Sequence, residues 1–335
     1  MDGEFHMLNW QLWEGTAEAW DQLLERFSDY SVYQSYAWGE HRARFNWRPL
    51  RLVLRKEDNI SAMVQILIRN YPLNLGLVWI PGGPLGDIDF WDASLQRAIM
   101  VGAGVRFLYC RINSMRRHSA EEELKLTVRG WRKSAYPLNS GLSLAYKPMQ
   151  NEDVRLKQSS SNWRHNFRRS AKRGLSVYLW KNPDPKEMML AYISMQEYKQ
   201  LKDQTNLEQI DSIVKAFKER CLLVRCDDEN GNLLAFRGAL VQGEKAWDIF
   251  AATTPVGRNM YASHAAFWEL MKQCAVRNIN WYDMSGVDPV KNRGVYDFKK
   301  GTGAQDLQYL GEWEYAKPSI FGILVSRVIV LKGLS

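Results

Sequence analysis

The 335 residues are 46% hydrophobic and 24% charged, a balance that excludes a disordered chain and gives enough length for two domains with separate cores. A formal net charge of +8 points to a polyanionic partner, whether RNA, anionic lipid headgroups or a diphosphate substrate, without choosing among them. Cys110, Cys221, Cys226 and Cys274 show no CxxC spacing, and no apolar run reaches the roughly 18 residues of a spanning helix, so reduced thiols, no structural metal and no membrane span are expected.

Met1 to His6 reads as a vector-derived leader and is set aside. Thr16 precedes Trp20, Leu23, Leu24 and Phe27 at helical spacing, which predicts an amphipathic helix. A second short helix carries Trp38 and Arg42, four apart and on one face. Such a pair either binds a phosphate or ribose edge, or is an arginine covering a half-buried indole. Strands follow at Leu50 to Leu54, Ile60 to Ile68 and Leu77 to Ile80, then a helix with Trp91, Leu95, Ala98 and Ile99 inward, then a strand from Val105 to Cys110.

Val128 to Lys147 is rich in turn formers and supplies irregular strands and a crossover. From Arg155 to Arg173 there are seven Lys or Arg and no Asp or Glu. Ser161 or Asn162 caps a helix there that Gly174 ends, with Trp163, Phe167 and Ala171 as an apolar stripe and Arg164, Arg168 and Lys172 as a basic one, Arg169 lying between. The cations are either a solvated face or a phosphate or RNA contact. Helices starting at Asp184 and spanning Asn206 to Arg220 flank a polar loop, Lys199 to Asp203.

Strands then recur at Leu222 to Cys226, Leu233 to Val241 and Ala246 to Ala252, with a helix capped by Ser263 and a strand from Ile279 to Met284. The same five-element succession thus occurs twice, which predicts two α/β modules with mixed sheets flanked by helices. Their expected limits are 7–150 and 151–318, with 319–335 a tail. Its apolar stretch, Ile320 to Leu331, forms a helix that lies on an anionic membrane surface or on the protein's own core.

No nucleophile elbow, phosphate loop or zinc-protease motif is present, and the five histidines are scattered. Direct acyl transfer remains, in which an amine attacks an activated carbonyl and the protein aligns the two and steadies the oxyanion. The strand ending Tyr282-Asp283-Met284-Ser285-Gly286 is followed by Gly294-Val295-Tyr296-Asp297-Phe298-Lys299-Lys300-Gly301 and then Tyr309-Leu310-Gly311-Glu312. This order resembles the FemAB family, bacterial transferases that add amino acids from aminoacyl-tRNA to peptidoglycan precursors on two tandem GNAT-like modules.

The resemblance implies an aminoacyltransferase with no cofactor beyond its aminoacyl-tRNA co-substrate, acting as a cytoplasmic monomer that can meet the inner membrane face. Lys299 is the implied oxyanion stabiliser, with Lys300 the alternate; Asp283 and Asp288 are either proton acceptors or turn residues. Arg42, the cation four after Trp38, would hold the precursor's diphosphate, and Trp38, Arg111, Asn113, Tyr282, Tyr296 and Phe298 would line the substrate site; Tyr261 either hydrogen-bonds substrate or is a buried tyrosine satisfied within the fold. Asn113 stands where relatives tend to carry a carboxylate. With no heptads for a coiled-coil arm, tRNA would rest on Arg164, Arg168, Arg169 and Lys172. Two readings compete. One is an acyl-CoA-dependent transferase, against which the turn Gly257 to Ser263 lacks the usual glycine spacing; the other is a non-catalytic RNA- or membrane-binding module.

Overall fold

In a computed structural model, residues 10–56, 59–199 and 206–319 are described, with the single positions 322, 325, 327 and 328. The leader, most of the Lys199 to Asp203 loop and nearly all of the tail lie outside the described residues. The chain divides into two compact units, residues 1–141 with 308–335, and residues 142–307.

The first unit opens with β1 (Trp10–Leu12), α1 (Ala17–Leu24) and α2 (Tyr36–Ala43). Thr16 caps α1 as predicted, its hydroxyl accepting from Ala19 N at 3.2 Å. Three strands follow, β2 (Arg48–Lys56), β3 (Asn59–Tyr71) and β4 (Leu75–Pro81), then β5 (Leu85–Gly86), α3 (Ala93–Ala103), β6 (Phe107–Arg117), α4 (Ala120–Val128) and β7 (Arg132–Lys133). β1 to β4 pair antiparallel in order, whereas β6 lies parallel to β4 because α3 carries the chain back across the sheet. Alternate residues of the strands, among them Leu52, Leu54, Val64, Ile66, Val78 and Ile80, bury against Trp91, Leu95 and Ile99.

The second unit contains β8 (Leu142–Tyr146), α5 (Glu152–Gln158), α6 (Ser161–Ser170), β9 (Ser176–Leu179), α7 (Pro185–Lys199), α8 (Leu207–Phe217), β10 (Cys221–Asp227), β11 (Leu233–Gln242) and β12 (Lys245–Thr253). α9 (Pro255–Asn259), α10 (Ala262–Val276), β13 (Trp281–Asp283) and α11 (Arg293–Gly301) complete it. β9 to β12 are antiparallel in order, β13 is parallel to β12, and β8 is antiparallel to β13. The succession β1–α1–α2–β2–β3–β4–α3–β6 is therefore repeated as β9–α7–α8–β10–β11–β12–α10–β13, apart from the short inserts β5 and α9. The repeat is longer than the five elements legible in the sequence.

The expected module limits are corrected. Leu142 to Tyr146 belongs to the second unit, and β14 (Gln305–Lys317) returns to the first, where it runs antiparallel to β6. A buried ion-pair network explains the return: Arg111 of β6 binds Glu312 at 3.0 Å and Glu314 at 2.7 Å of β14. Smaller corrections concern caps. Ser160, not Ser161 or Asn162, caps α6, which stops at Ser170 before Gly174; α10 starts after Tyr261, whose φ of 60° replaces the expected Ser263 cap. Among the described residues the longest helices, α7 and α10, have 15 residues, and no helix is long and apolar enough to cross a membrane.

Candidate functional site

In the second unit three neighbouring strands contribute polar side chains that meet inside the core. β11 contributes Arg237, β12 Asp248 and β13 Tyr282. A bulge between Gly238 and Ala239 sets Gly238 opposite Phe250 but Ala239 opposite Asp248, which re-aims the β12 side chains at this point. The Asp248 carboxylate accepts from Tyr282 Oη at 2.8 Å and from Arg237 Nη2 at 3.2 Å. From α11, Lys299 brings a second cation, 7% exposed, with Nζ 3.5 Å from Asp248 Oδ2 and donating to the Met284 carbonyl.

Burial drives Lys299 below the ordinary ammonium range; Asp248 opposes that shift and Arg237 reinforces it. Tyr282 is raised well above the ordinary phenol range, first by burial and then by Asp248. His264 of α10 is held down to about 4 by burial and by Arg237, so it is neutral at physiological pH. Its ring lies 5.0 Å from Phe298 and 5.2 Å from Trp163. Two buried nitrogens here, Arg237 Nε and His264 Nδ1, have no hydrogen-bond partner among the described residues. A cation pinned in a water-poor site beside a carboxylate is equipped to stabilise a developing oxyanion.

Several predicted residues have other tasks. Asp283 is fully buried and accepts from Ser143 Oγ and from Ser285 N at 2.7 Å, so it locks the turn in which Ser285 takes φ 59° and presents no surface to an incoming amine. Asp288 caps its own loop, accepting from Val290 N at 2.9 Å and Lys291 N at 2.8 Å, which hold its carboxyl below the usual range. Lys300 is a surface residue paired with Asp306 at 2.7 Å. Tyr282 is sealed in the core as the partner of Asp248, while Tyr296 and Phe298 pack at the core's margin. Tyr261 lies under the Arg169 guanidinium at 4.7 Å.

On α6, Trp163 is the buried hub of an aromatic cluster with Phe167, Phe267 and Trp268. Arg164 leaves the basic stripe: its guanidinium caps the end of α5, donating to Lys157 O at 2.9 Å and to Ser159 O. Arg168, Arg169 and Lys172 remain exposed.

In the first unit Arg42 does not cover Trp38. The chain reverses at Asn46, φ 61°, and brings Trp47 back so that its N–H meets Arg42 O at 3.3 Å. Arg42 then lies 5.8 Å from the Trp47 ring and Arg69 of β3 4.2 Å from it. Burial and the neighbouring Arg69 push Arg42 down to about 10. Neither guanidinium has a carboxylate partner among the described residues, and Arg69, not Arg42, borders a hollow of about 640 Å³ lined also by Asn46, Trp47 and Arg48. Trp38 instead packs edge-on to Tyr33, at 4.8 Å. Arg111, 1% exposed, is spent on Glu312 and Glu314 and is withdrawn from any substrate role; Asn113 sits half-buried on the same strand.

Asp248, Arg237, His264 and Arg69 were not singled out by sequence. For Asp248, Arg237 and Arg69 the signal available was a lone charge inside an apolar strand run, since Asp and Arg are seldom buried unless paired; His264, on α10, carried no such signal.

The FemAB family model matches residues 186–322. No curated protein sequence matches the chain. Among solved structures, that of FemX superposes with a TM-score of 0.82 at 16% identity, covering 94% of this chain and 100% of that one. L-PGS from Bacillus licheniformis follows at TM-score 0.54 and 13% identity, covering 94% and 97%. A tandem GNAT protein from the clavulanic acid biosynthesis pathway gives 0.52 at 10% identity, covering 92% and 98%. These likenesses establish the tandem GNAT-like fold.

Proposed function

We propose that this chain, which resembles the FemAB family over residues 186–322, is an aminoacyltransferase that moves an amino acid from aminoacyl-tRNA to an amine of a peptidoglycan-type peptide precursor. The observation that carries the reading is the buried Lys299 ammonium, held 3.5 Å from Asp248 at the centre of the second unit's site. The acceptor amine attacks the ester carbonyl, and Lys299 donates to the oxyanion of the tetrahedral intermediate. The carbon–oxygen bond to the ribose then breaks, the amide forms, and the amine's proton ends on the departing ribose oxygen. Arg42 and Arg69, two guanidiniums against one indole with no carboxylate between them, suit the phosphates of the acceptor. Arg168, Arg169 and Lys172 suit the tRNA backbone.

The amides of α9, which are engaged, together with the missing glycine spacing from Gly257 to Ser263, favour aminoacyl-tRNA over acyl-CoA as donor, with Ala262 N and Ser263 N at the start of α10 left uncapped. A CoA pyrophosphate needs free amides at this turn. Gly257 N is committed to Thr254 Oγ1 at 3.1 Å, Met260 N to Val256 O at 3.2 Å and Tyr261 N to Arg258 O at 3.2 Å. The test is to offer the protein radiolabelled aminoacyl-tRNAs and, separately, acyl-CoAs, each with nucleotide-linked and lipid-linked peptide acceptors. Label from at least one aminoacyl-tRNA should enter an acceptor through a base-stable amide. Transfer from acyl-CoA alone would overturn the donor assignment, and RNA binding without any transfer would favour a non-catalytic module.

A further inference from the structure

The internal repeat relates the phosphate-suited hollow of the first unit to a second one. In the first unit the turn from α2 to β2 passes through Asn46 at φ 61°, and the hollow opens beside it. The matching turn of the second unit, from α8 to β10, passes through Lys218 at φ 50°, and a cavity of about 850 Å³ opens there. Its lining includes four cations, Lys181, Lys218, Arg220 and Arg277, against one carboxylate, Glu219. Lys181, Lys218 and Arg277 are exposed and have no carboxylate partner among the described residues. Behind them the wall is apolar, its surface supplied by half-buried Leu179, Val214 and Val241 over the buried Trp180, Leu222 and Leu223. None of these residues belongs to the Lys299 site.

Lys218 supplies an independent argument. With φ 50° and ψ −124° it occupies backbone space open to glycine but strained for a residue with a Cβ. Asparagine, at the first unit's turn, tolerates positive φ far better than lysine does. What lysine adds over glycine at this corner is a cation at the rim of the hollow.

We propose that this cavity is a second anion site of the protein, taking a phosphate-bearing ligand whose apolar part rests on the half-buried Leu179, Val214 and Val241. Like charges gathered around one hollow repel until an anion joins them, and the cavity's size suits a small ligand rather than a single ion. The comparison with Arg42 and Arg69 rests on the function proposed above; the Lys218 cavity itself does not.

Calorimetric titration of the full chain with inorganic pyrophosphate tests the site, using Lys218→Gly/Arg277→Ala and, separately, Arg42→Ala/Arg69→Ala. The wild type should bind at two sites, and each double variant should weaken one of them at least tenfold and leave the other. Lys218→Gly alone should raise Tm while weakening pyrophosphate, a combination that a purely structural lysine would not produce. Titration with dihexanoylphosphatidylglycerol separates the sources: tighter binding than pyrophosphate assigns the cavity to a lipid headgroup, weaker binding to a soluble phosphate, and both sustain the site. Heats unchanged by Lys218→Gly/Arg277→Ala overturn it whatever the first unit does. Heats unchanged by Arg42→Ala/Arg69→Ala remove only the first unit's phosphate role.

Discussion

Replacing Asp248 by asparagine removes one negative charge from the Lys299 site and leaves an oxygen able to accept from Tyr282 Oη, now at 2.8 Å. Lys299 Nζ is 3.5 Å from that carboxylate, and both side chains are less than a tenth exposed. Two unit charges ~4 Å apart interact by ~4 kcal/mol at an effective dielectric of 20, and about a third of that already moves a titration by one pH unit. Lys299 must carry its proton to steady an oxyanion. Burial already weakens its hold on that proton, and Asp248 is the group that opposes the loss. The alkaline limb of kcat/KM should therefore move to lower pH in Asp248→Asn by at least about one unit. Arg237→Gln removes a repelling cation and should move the same limb to higher pH. Tyr282, His264 and Asp283 are the other titratable groups nearby: Asp248→Asn also relieves the Tyr282 phenol, and Arg237→Gln also relieves the His264 imidazole, which acts on the acid limb. Profiles from pH 6 to 10, with thermal unfolding measured alongside, decide the matter. A fall in rate with the limb fixed, or shifts of one sign in both variants, would refute the reasoning.

Three further predictions concern other parts of the chain. Glu312→Ala leaves the buried Arg111 guanidinium short of one partner and should destabilise the protein by about 3–5 kcal/mol in urea unfolding; a loss under ~1 kcal/mol would show that the network does not hold β14 to β6. Burial holds His264 and His41 down to about 4 and about 3 when folded, against 6.5 for the ordinary side chain, so the stability they contribute is complete above pH 6.5 and is lost as pH falls through about 4 for His264 and about 3 for His41. His264→Gln should flatten the decline of Tm between pH 6.5 and 4, where wild-type His264 accounts for on the order of 3 kcal/mol; an unaltered decline would contradict this. Charge removal at Arg168, Arg169 and Lys172 should lower the slope of log Kd for aminoacyl-tRNA against log salt by about 0.7–0.9 for each phosphate left unneutralised, whereas Arg164→Ala, a helix-end cap, should leave it unchanged.

The repeated strand order was legible because both halves alternate in hydrophobicity and break at acidic or glycine turns. Its closing strands were not, because β8 and β14 take their places by pairing, and the Arg111 pairs with Glu312 and Glu314 span some two hundred residues. Lys299 could be named from its motif, but its partner could not: Asp248 sits in an ordinary-looking strand, and only the bulge and the adjacency of β11, β12 and β13 bring it under the ammonium. The same limit paired Arg42 with the wrong indole, since helical spacing finds Trp38 as its neighbour and cannot see the reversal at Asn46 that delivers Trp47. Arg111 shows the opposite error, a cation at a motif position whose charge is wholly engaged inside its own sheet.

The most direct trial of Lys299 as the acyl-transfer centre is single-turnover kinetics with a competent aminoacyl-tRNA, comparing Lys299→Ala with Lys300→Ala. Removing the buried ammonium should slow amide formation by about 10²–10³-fold with donor affinity retained, while loss of the Asp306-paired surface lysine should change the rate less than about threefold. Equal effects of the two substitutions, or full activity without Lys299, would contradict the assignment.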